Sequence, residues 1–211
     1  MLNINYVIIN DFEWPLILLA LDGYSPIAGR VRIHMICFIY HHMGFNFIPG
    51  FFGPYSPELD KAIDEGIERG LIDTYYVPLK YGRSIKNYSL TIDGRRVANA
   101  ILSKIRDKYV LLDKVAFIKG KEILLDLEAI KRTYREKPLL FLFQKISEDV
   151  IKEWPYWMKV ESKGVKEILN EVYNEIKYGF LSTIVTFSKS SNIYVNIFFW
   201  KIFLYNIFKF V

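Results

Sequence analysis

Cysteine and histidine are scarce in this chain of 211 residues. It has one cysteine, Cys37, and three histidines, all of which lie between residues 34 and 42. A single cysteine excludes an internal disulfide framework and is typical of a protein from a reducing compartment, so we expect a cytoplasmic location. A Walker-type phosphate loop and a dinucleotide-binding glycine pattern are also absent from the sequence. We therefore expect no cofactor and no enzymatic activity.

The helical spacing of His34, Cys37 and His41 places these side chains on one face of a helix. The outer two are separated by about 10 Å along the helix axis, whereas zinc binds its ligands at about 2 Å. Cys37 lies in an apolar run, where a thiol is usually inert packing. The pattern therefore favours a partly exposed or interfacial face over a metal site or a nucleophile.

We expect no secretory signal at the N-terminus, since Asp11 and Glu13 interrupt its only apolar stretch. At the other end, fifteen of the nineteen residues in 193–211 are apolar or aromatic. As a helix this segment would extend about 28 Å, close to the thickness of a bilayer core, although Lys201 near its centre disfavours insertion by about 2.5 to 3.5 kcal/mol. A membrane anchor, a buried helix or strand or dimer seam, and a poorly ordered tail all stay open.

Hydrophobic residues make up 52% of the chain, which is enough for a sizeable core. The net charge of +5 is unevenly distributed. Residues 93–140 carry twelve basic and seven acidic side chains, and residues 177–211 carry four basic and no acidic ones. An anionic partner would be sought in these two regions.

Residues 52–72 form the most informative segment. Gly53-Pro54 breaks an apolar run, Ser56 is a good N-cap before Pro57, and Gly70 ends the predicted helix. Strand-like patterns follow at 72–77 and 87–92 and enclose a long loop. Helices are predicted before this segment and after it, and the predicted helices lie at 12–22, from Ser25-Pro26 to near Gly44, at 57–70, after Asp93, at 121–135, at 139–146 and at 164–177.

This order of elements is typical of winged-helix modules. The sequence thus predicts a mainly α chain with a small β-hairpin, in which a winged helix-turn-helix core carries an α-helical C-terminal extension. The predicted domains are a core at 1–110, a helical extension at 111–178 and an apolar tail at 179–211.

Several motifs in residues 12–106 together carry a family resemblance. They are Gly29-Arg30-Val31-Arg32-Ile33-His34, Phe52-Gly53-Pro54-Tyr55-Ser56 with Glu58-Leu59, Gly70-Leu71-Ile72, and Leu90-Thr91 with Gly94-Arg95. In this combination the chain resembles the winged-helix-like proteins grouped with the phage-associated and Panacea antitoxin domains. The resemblance implies a non-enzymatic regulatory module whose partner is a protein, in antitoxins a toxin.

The predicted helix at 57–70 is acidic. It contains five acids against Lys61 and Arg69, and the acids are Glu58, Asp60, Asp64, Glu65 and Glu68. This charge opposes the counterion release that drives DNA binding, so a major-groove reading helix is disfavoured. The acids are either a solvated face or a docking surface for a basic protein partner, and we take them as the candidate partner-binding residues.

An alternative function is DNA binding by the predicted wing and the helix that follows it. The basic residues that would serve it are Lys80, Arg83, Lys86, Arg95 and Arg96. Such side chains contact phosphates or enter a minor groove, in a regulator that would act as a dimer. A membrane-tethered module, which depends on the C-terminal tail alone, is a further alternative.

Overall fold

The computed structural model describes residues 6–40, 42–50, 53–112, 116–139, 141–142 and 145–146. The chain divides into two units, one of residues 1–48 and 53–139 and the other of residues 49–52 and 140–211. Nearly all described residues belong to the first unit. The helix predicted at 164–177 and the apolar segment 193–211 lie outside the described residues, and the predicted domain boundaries stay predictions.

Five α-helices and eight strands have their bounds within the described residues, and the described residues of the helix predicted at 139–146 are helical from Leu139 on. The helices are α1 (Glu13–Tyr24), α2 (Arg30–Tyr40), α3 (Pro57–Glu68), α4 (Ile92–Arg106) and α5 (Gly120–Tyr134). The strands are β1 (Tyr6–Val7), β2 (Ile27–Ala28), β3 (Ile48–Gly50), β4 (Gly53–Tyr55), β5 (Ile72–Pro78), β6 (Ser84–Leu90), β7 (Tyr109–Leu112) and β8 (Ala116–Lys119). A single 3₁₀ turn, Lys80–Gly82, connects β5 to β6.

Six of the eight strands form two three-stranded sheets. One has the order β2-β6-β5 and is antiparallel throughout, with β5 and β6 paired from Ile72 opposite Leu90 to Pro78 opposite Ser84. The other sheet has the order β1-β7-β8. Its central strand β7 is parallel to β1 and antiparallel to β8.

These sheets show that the predicted fold class, a mainly α chain with one small hairpin built on a winged helix-turn-helix core, is wrong. The protein is an α/β mixture with two small three-stranded sheets. The sequence failed here because β1 and β2 contain two residues each, too few to produce an alternating pattern. Their partners β7 and β6 follow in the chain more than 50 residues later, so only the tertiary fold completes each sheet.

The helix predictions, in contrast, are largely confirmed, because local signals define the helix ends. Ser56 caps α3 by accepting a hydrogen bond from the Leu59 N–H at 3.3 Å, and Thr91 caps α4 by accepting one from the Gly94 N–H at 2.9 Å. The second helix extends from Arg30 to Tyr40, so it begins later and ends earlier than predicted, and Ile27–Ala28, predicted as helix, forms β2 instead. The predicted loop between strands at 72–77 and 87–92 is shorter than expected, since the paired strands extend to Pro78 and begin again at Ser84.

Helix α1 lies at the centre of the first unit. Every residue from Trp14 to Leu21 is buried, and the helix packs against α3, α4, α5 and β6. Because no side of α1 faces water, the carbonyl groups at its C-terminal end need donors from the protein. Lys131 of α5, itself fully buried, donates from Nζ to Leu19 O at 3.1 Å and to Leu21 O at 2.7 Å.

The chain leaves α1 through a left-handed turn at Asp22 and Gly23, with φ of 54° and 64°. The Asp22 carboxylate accepts a hydrogen bond from Ser25 Oγ at 2.9 Å. It also forms ion pairs with two arginines that follow Lys131, at 3.2 Å to Arg132 Nε and 2.6 Å to Arg135 Nε. The last turn of α5 therefore holds the end of α1.

Close backbone contact requires glycine at the start of α4. A Cβ atom on Gly94 would lie 1.9 Å from the carbonyl oxygen of Leu71, the residue just before β5. Thr91 fixes the same junction by donating from its N–H to Leu71 O at 3.0 Å. The first turn of α4 and the start of the hairpin are thus held in direct backbone contact.

Replacing Gly94 with alanine tests this contact. We expect Gly94→Ala to lower the free energy of unfolding by about 3 kcal/mol or more, because either α4 or the start of β5 must move. The measurement is urea denaturation followed by circular dichroism. Ser103→Ala, on the exposed side of the same helix, is the control and should change stability by less than about 0.5 kcal/mol. Equal stability of the two variants would contradict the contact.

The buried amine of Lys131 predicts a pH dependence. Burial lowers the pKa of Lys131 to about 7, so between pH 7 and 10.5 the unfolded chain binds a proton there that the folded chain does not. Between these pH values, Lys131 should therefore increase the free energy of unfolding by about 1 kcal/mol for each unit that the pH rises. Lys131→Met should lose this rise in urea titrations, whereas Lys121→Met, at an exposed position of α5, should keep it. The same slope in both variants would refute the assignment.

Candidate functional site

The acidic helix α3 is the first of two surfaces to which the sequence directs attention. Its Asp60 and Asp64 lie one turn apart and face the start of α2. There Arg30 Nη1 contacts Asp60 Oδ1 at 2.9 Å and Asp64 Oδ2 at 3.2 Å, while Arg30 Nη2 donates to Asp64 Oδ1. Arg30 Nε completes the arrangement by donating to the Tyr88 hydroxyl of β6 at 3.3 Å. We call these four side chains the Arg30 cluster.

Hydrogen bonds from Arg30 lower the pKa of Asp64 below its ordinary value. The guanidinium is held by two carboxylates of α3 and the phenol of Tyr88 on β6, and it compensates part of the charge of α3. Two of the five predicted partner-binding acids are therefore used inside the protein.

His34 extends the cluster into the interior. Its side chain is 3% exposed and stacks on the Tyr55 ring, with centroids 5.1 Å apart. Nδ1 accepts a hydrogen bond from the Ser56 N–H at 3.2 Å, which places the proton of the neutral ring on Nε2, 3.4 Å from Asp60 Oδ1. Burial lowers the pKa of His34, although Asp60 opposes this effect. The ring is thus a neutral connector between α2 and the N-cap of α3.

The remaining acids of α3 have different surroundings. Glu65 pairs with Arg69, and Glu58 accepts hydrogen bonds from Ser56 Oγ at 2.8 Å and from Asn46 Nδ2 at 3.3 Å. Glu68 is exposed and has no ion pair with any residue that the structure describes. Only Glu68 of the predicted set is left fully available, so α3 is a weaker docking surface than its composition indicated.

The hairpin of β5 and β6 forms the second surface. Four large side chains of β5 and of its connection to β6 are exposed, and Arg83 of that connection is also exposed. The exposed fractions are 41% for Tyr75, 68% for Tyr76, 50% for Leu79 and 94% for Tyr81. We call these five residues the hairpin surface. The sequence indicated it through the basic residues of the predicted wing and Tyr81 among them, whereas Tyr75, Tyr76 and Leu79 were missed.

The predicted nucleic-acid-binding residues do not form one patch. Arg83 precedes β6, where Lys86 lies over the Tyr88 ring at 5.7 Å, and the side chain of Lys80 lies outside the described part of the chain. Arg95 and Arg96 belong to the first turns of α4, beyond the opposite end of β6. The seven residues of β6, which include Lys86, extend about 20 Å between Arg83 and the start of α4. Arg95 stacks over Tyr24 at 4.9 Å, and Arg96 pairs with Asp93 at 3.0 Å.

The predicted stripe of His34, Cys37 and His41 was considered for metal binding and for a nucleophilic thiol. Cys37 is fully buried, and this burial raises the pKa of its thiol, so the nucleophilic thiolate is suppressed. His41 lies outside the described residues. Among those that are described, no three potential ligands lie close enough to hold a metal ion. Likewise, none of the described helices has the length and apolar character needed to cross a bilayer.

Sequence reasoning missed the role of Arg30. The helical spacing of Asp60 and Asp64 was a usable signal, since two acids one turn apart can accept one guanidinium. Nothing in the sequence, however, showed which of the basic residues would reach them. Comparison with protein-family models, curated proteins and solved structures found no match. The resemblance to antitoxin domains therefore stays a prediction.

The neutral state of His34 can be tested by titration. In the folded protein the pKa of His34 lies below the ordinary value of 6.5. As the pH falls, His34 is therefore protonated first in the unfolded chain, and the free energy of unfolding decreases below about pH 6.5. His34→Asn keeps an acceptor for the Ser56 N–H and cannot titrate. We expect the difference in unfolding free energy between wild type and His34→Asn to change with pH below 6.5 and to stay constant from pH 7 to 8. A constant difference throughout would contradict this assignment.

Proposed function

We propose that this chain is a non-enzymatic regulatory module that binds another protein, and that the hairpin surface is its main point of contact. The observation that carries this proposal is the exposure of Tyr76, Tyr81 and Arg83 on the same hairpin. Tyrosine and arginine are enriched among the residues that dominate binding energy at protein interfaces. Exposed tyrosines of this kind leave apolar ring surface in water until a partner covers them.

The backbone at the tip of the hairpin supports the same proposal. Tyr81 has a φ of 64°, in the left-handed region that costs a bulky residue about 1 to 2 kcal/mol. This cost is not offset by burial of the ring, which is almost fully exposed. Unfavourable backbone geometry that presents a side chain to solvent is a frequent property of binding loops.

DNA binding through the same hairpin is the second candidate, favoured by the positive charges of Arg83 and Lys86. Two features count against it. The net charge of α3 remains negative even with Arg30 bound to it, and the arginines of α4 lie too far away to extend the basic patch. The membrane-tether alternative depends on residues 193–211, which lie outside the described residues.

The partner proposed by the antitoxin resemblance is a toxin-like protein encoded beside this chain. The experiment co-expresses the adjacent gene product with the wild-type chain, purifies the complex and measures its dissociation constant. Tyr76→Ser/Tyr81→Ser should weaken binding by about 30-fold or more, the loss of a hot spot of about 2 kcal/mol.

The matched control is Tyr6→Ser/Tyr109→Ser, which removes two partly exposed tyrosines from the other sheet and should leave the affinity within about threefold. Equal affinity of both double variants would refute the hairpin surface as the binding site. Binding of a random DNA duplex that falls steeply with salt, and is lost in Arg83→Ala/Lys86→Ala, would favour the DNA alternative instead.

A further inference from the structure

The outer edge of β5 is a second feature of the hairpin, distinct from its exposed tyrosines. In the sheet order β2-β6-β5 this strand lies at the edge. All of its residues after Ile72 are partly or fully exposed, on both faces of the strand. An exposed edge of seven residues is a template for pairing with another strand.

Two hydrogen bonds at the ends of the hairpin reveal which main-chain groups face outward. Leu79 donates from its N–H to Arg83 O at 2.7 Å, and Thr91 donates to Leu71 O at 3.0 Å. Opposite residues of an antiparallel pair alternate between hydrogen-bonded and non-hydrogen-bonded pairs. With the observed register, the odd-numbered residues of β5 therefore bond to β6.

The N–H and C=O groups of Ile72, Thr74 and Tyr76 consequently point away from the sheet. An independent contact agrees with this alternation, because Lys86, opposite Tyr76, directs its carbonyl to the Gly29 N–H on the β2 side at 2.9 Å. Pro78 has no N–H and ends the row of outward donors. The edge thus presents three donors and three acceptors at alternate residues.

This row is self-complementary. If a second copy of β5 lies antiparallel with its Thr74 opposite Thr74, then Ile72 of each copy is opposite Tyr76 of the other. Every outward N–H then meets an outward C=O, and Pro78 falls beyond the paired stretch. The proline that would interrupt pairing in other registers is tolerated in this one.

Asp73 stands in the way of such pairing. Its Oδ1 accepts a hydrogen bond from the Thr74 N–H at 2.7 Å, so the central donor of the row is occupied. In the register centred on Thr74, the two Asp73 side chains would also be diagonal neighbours at about 7 to 8 Å, where like charges repel. Charged side chains on an edge strand are a recognised way of protecting it from pairing.

We propose that the edge of β5 is a pairing surface for a second copy of this chain, and that the Asp73 carboxylate on the Thr74 N–H holds it closed. Neutralising Asp73, by substitution or by a cationic group that draws the carboxylate away, opens the edge and produces an antiparallel dimer. This inference does not depend on the proposed protein partner, since it needs only the chain itself.

The experiment compares the full-length wild-type chain with Asp73→Ala by sedimentation equilibrium. We expect Asp73→Ala to dimerise with a dissociation constant at least about tenfold lower than that of the wild type. Asp93→Ala, which removes another exposed acid, is the control for net charge and should behave as the wild type. A monomeric Asp73→Ala variant would overturn the proposal.

A second variant locates the dimer contact. Asp73→Ala/Thr74→Pro removes the central outward N–H without removing a bond to β6, and should be monomeric again. If circular dichroism shows that this variant is unfolded, Asp73→Ala/Tyr76→Lys serves the same purpose by placing a charge on the edge. In Asp73→Ala, amide hydrogen exchange should slow at Ile72, Thr74 and Tyr76. A dimer that persists in the folded double variant, or unchanged exchange at these three amides, would show that the copies pair elsewhere.

Discussion

A central helix buried on all sides imposes the constraint on which the rest of this fold depends. Packing between α3, α4, α5 and β6 removes α1 from water, so its terminal carbonyls require a donor from inside the protein. Lys131 supplies that donor at the cost of burying an amine, and its neighbours Arg132 and Arg135 hold the Asp22 turn that follows. One turn of α5 thereby determines where α1 ends and where the chain continues towards β2.

Charge compensation explains why an acidic helix need not be an acidic surface. Arg30 bonds to both Asp60 and Asp64, and His34 reaches the same Asp60 from the interior while accepting the N–H of the α3 cap. These contacts join α2, α3 and β6 through groups that would be costly to leave unpaired. The charge of α3 therefore serves the packing of the domain first, and little of it remains for a partner.

The β5–β6 hairpin is the described element with the most to offer a partner. Its tip presents exposed tyrosines beside an arginine, and its outer strand presents unpaired main-chain groups. These two features suit different partners. The exposed tyrosine rings suit a complementary protein surface, whereas the main-chain edge of β5 can pair with another strand. In the proposed arrangement Asp73 keeps the edge closed to a second strand, whereas the exposed rings stay accessible.

Local signals in the sequence determined much of the helical structure. Ser56-Pro57, Gly70 and Thr91 define the ends of α3 and the start of α4 because caps and left-handed turns act over three or four residues. The tertiary structure alone decided the sheets, since β1 and β2 are too short to carry a pattern and their partners follow far along the chain. It also decided the site. Composition placed five acids on one helix, but whether they face solvent or an arginine depends on how α2 packs beside α3, which no local pattern records.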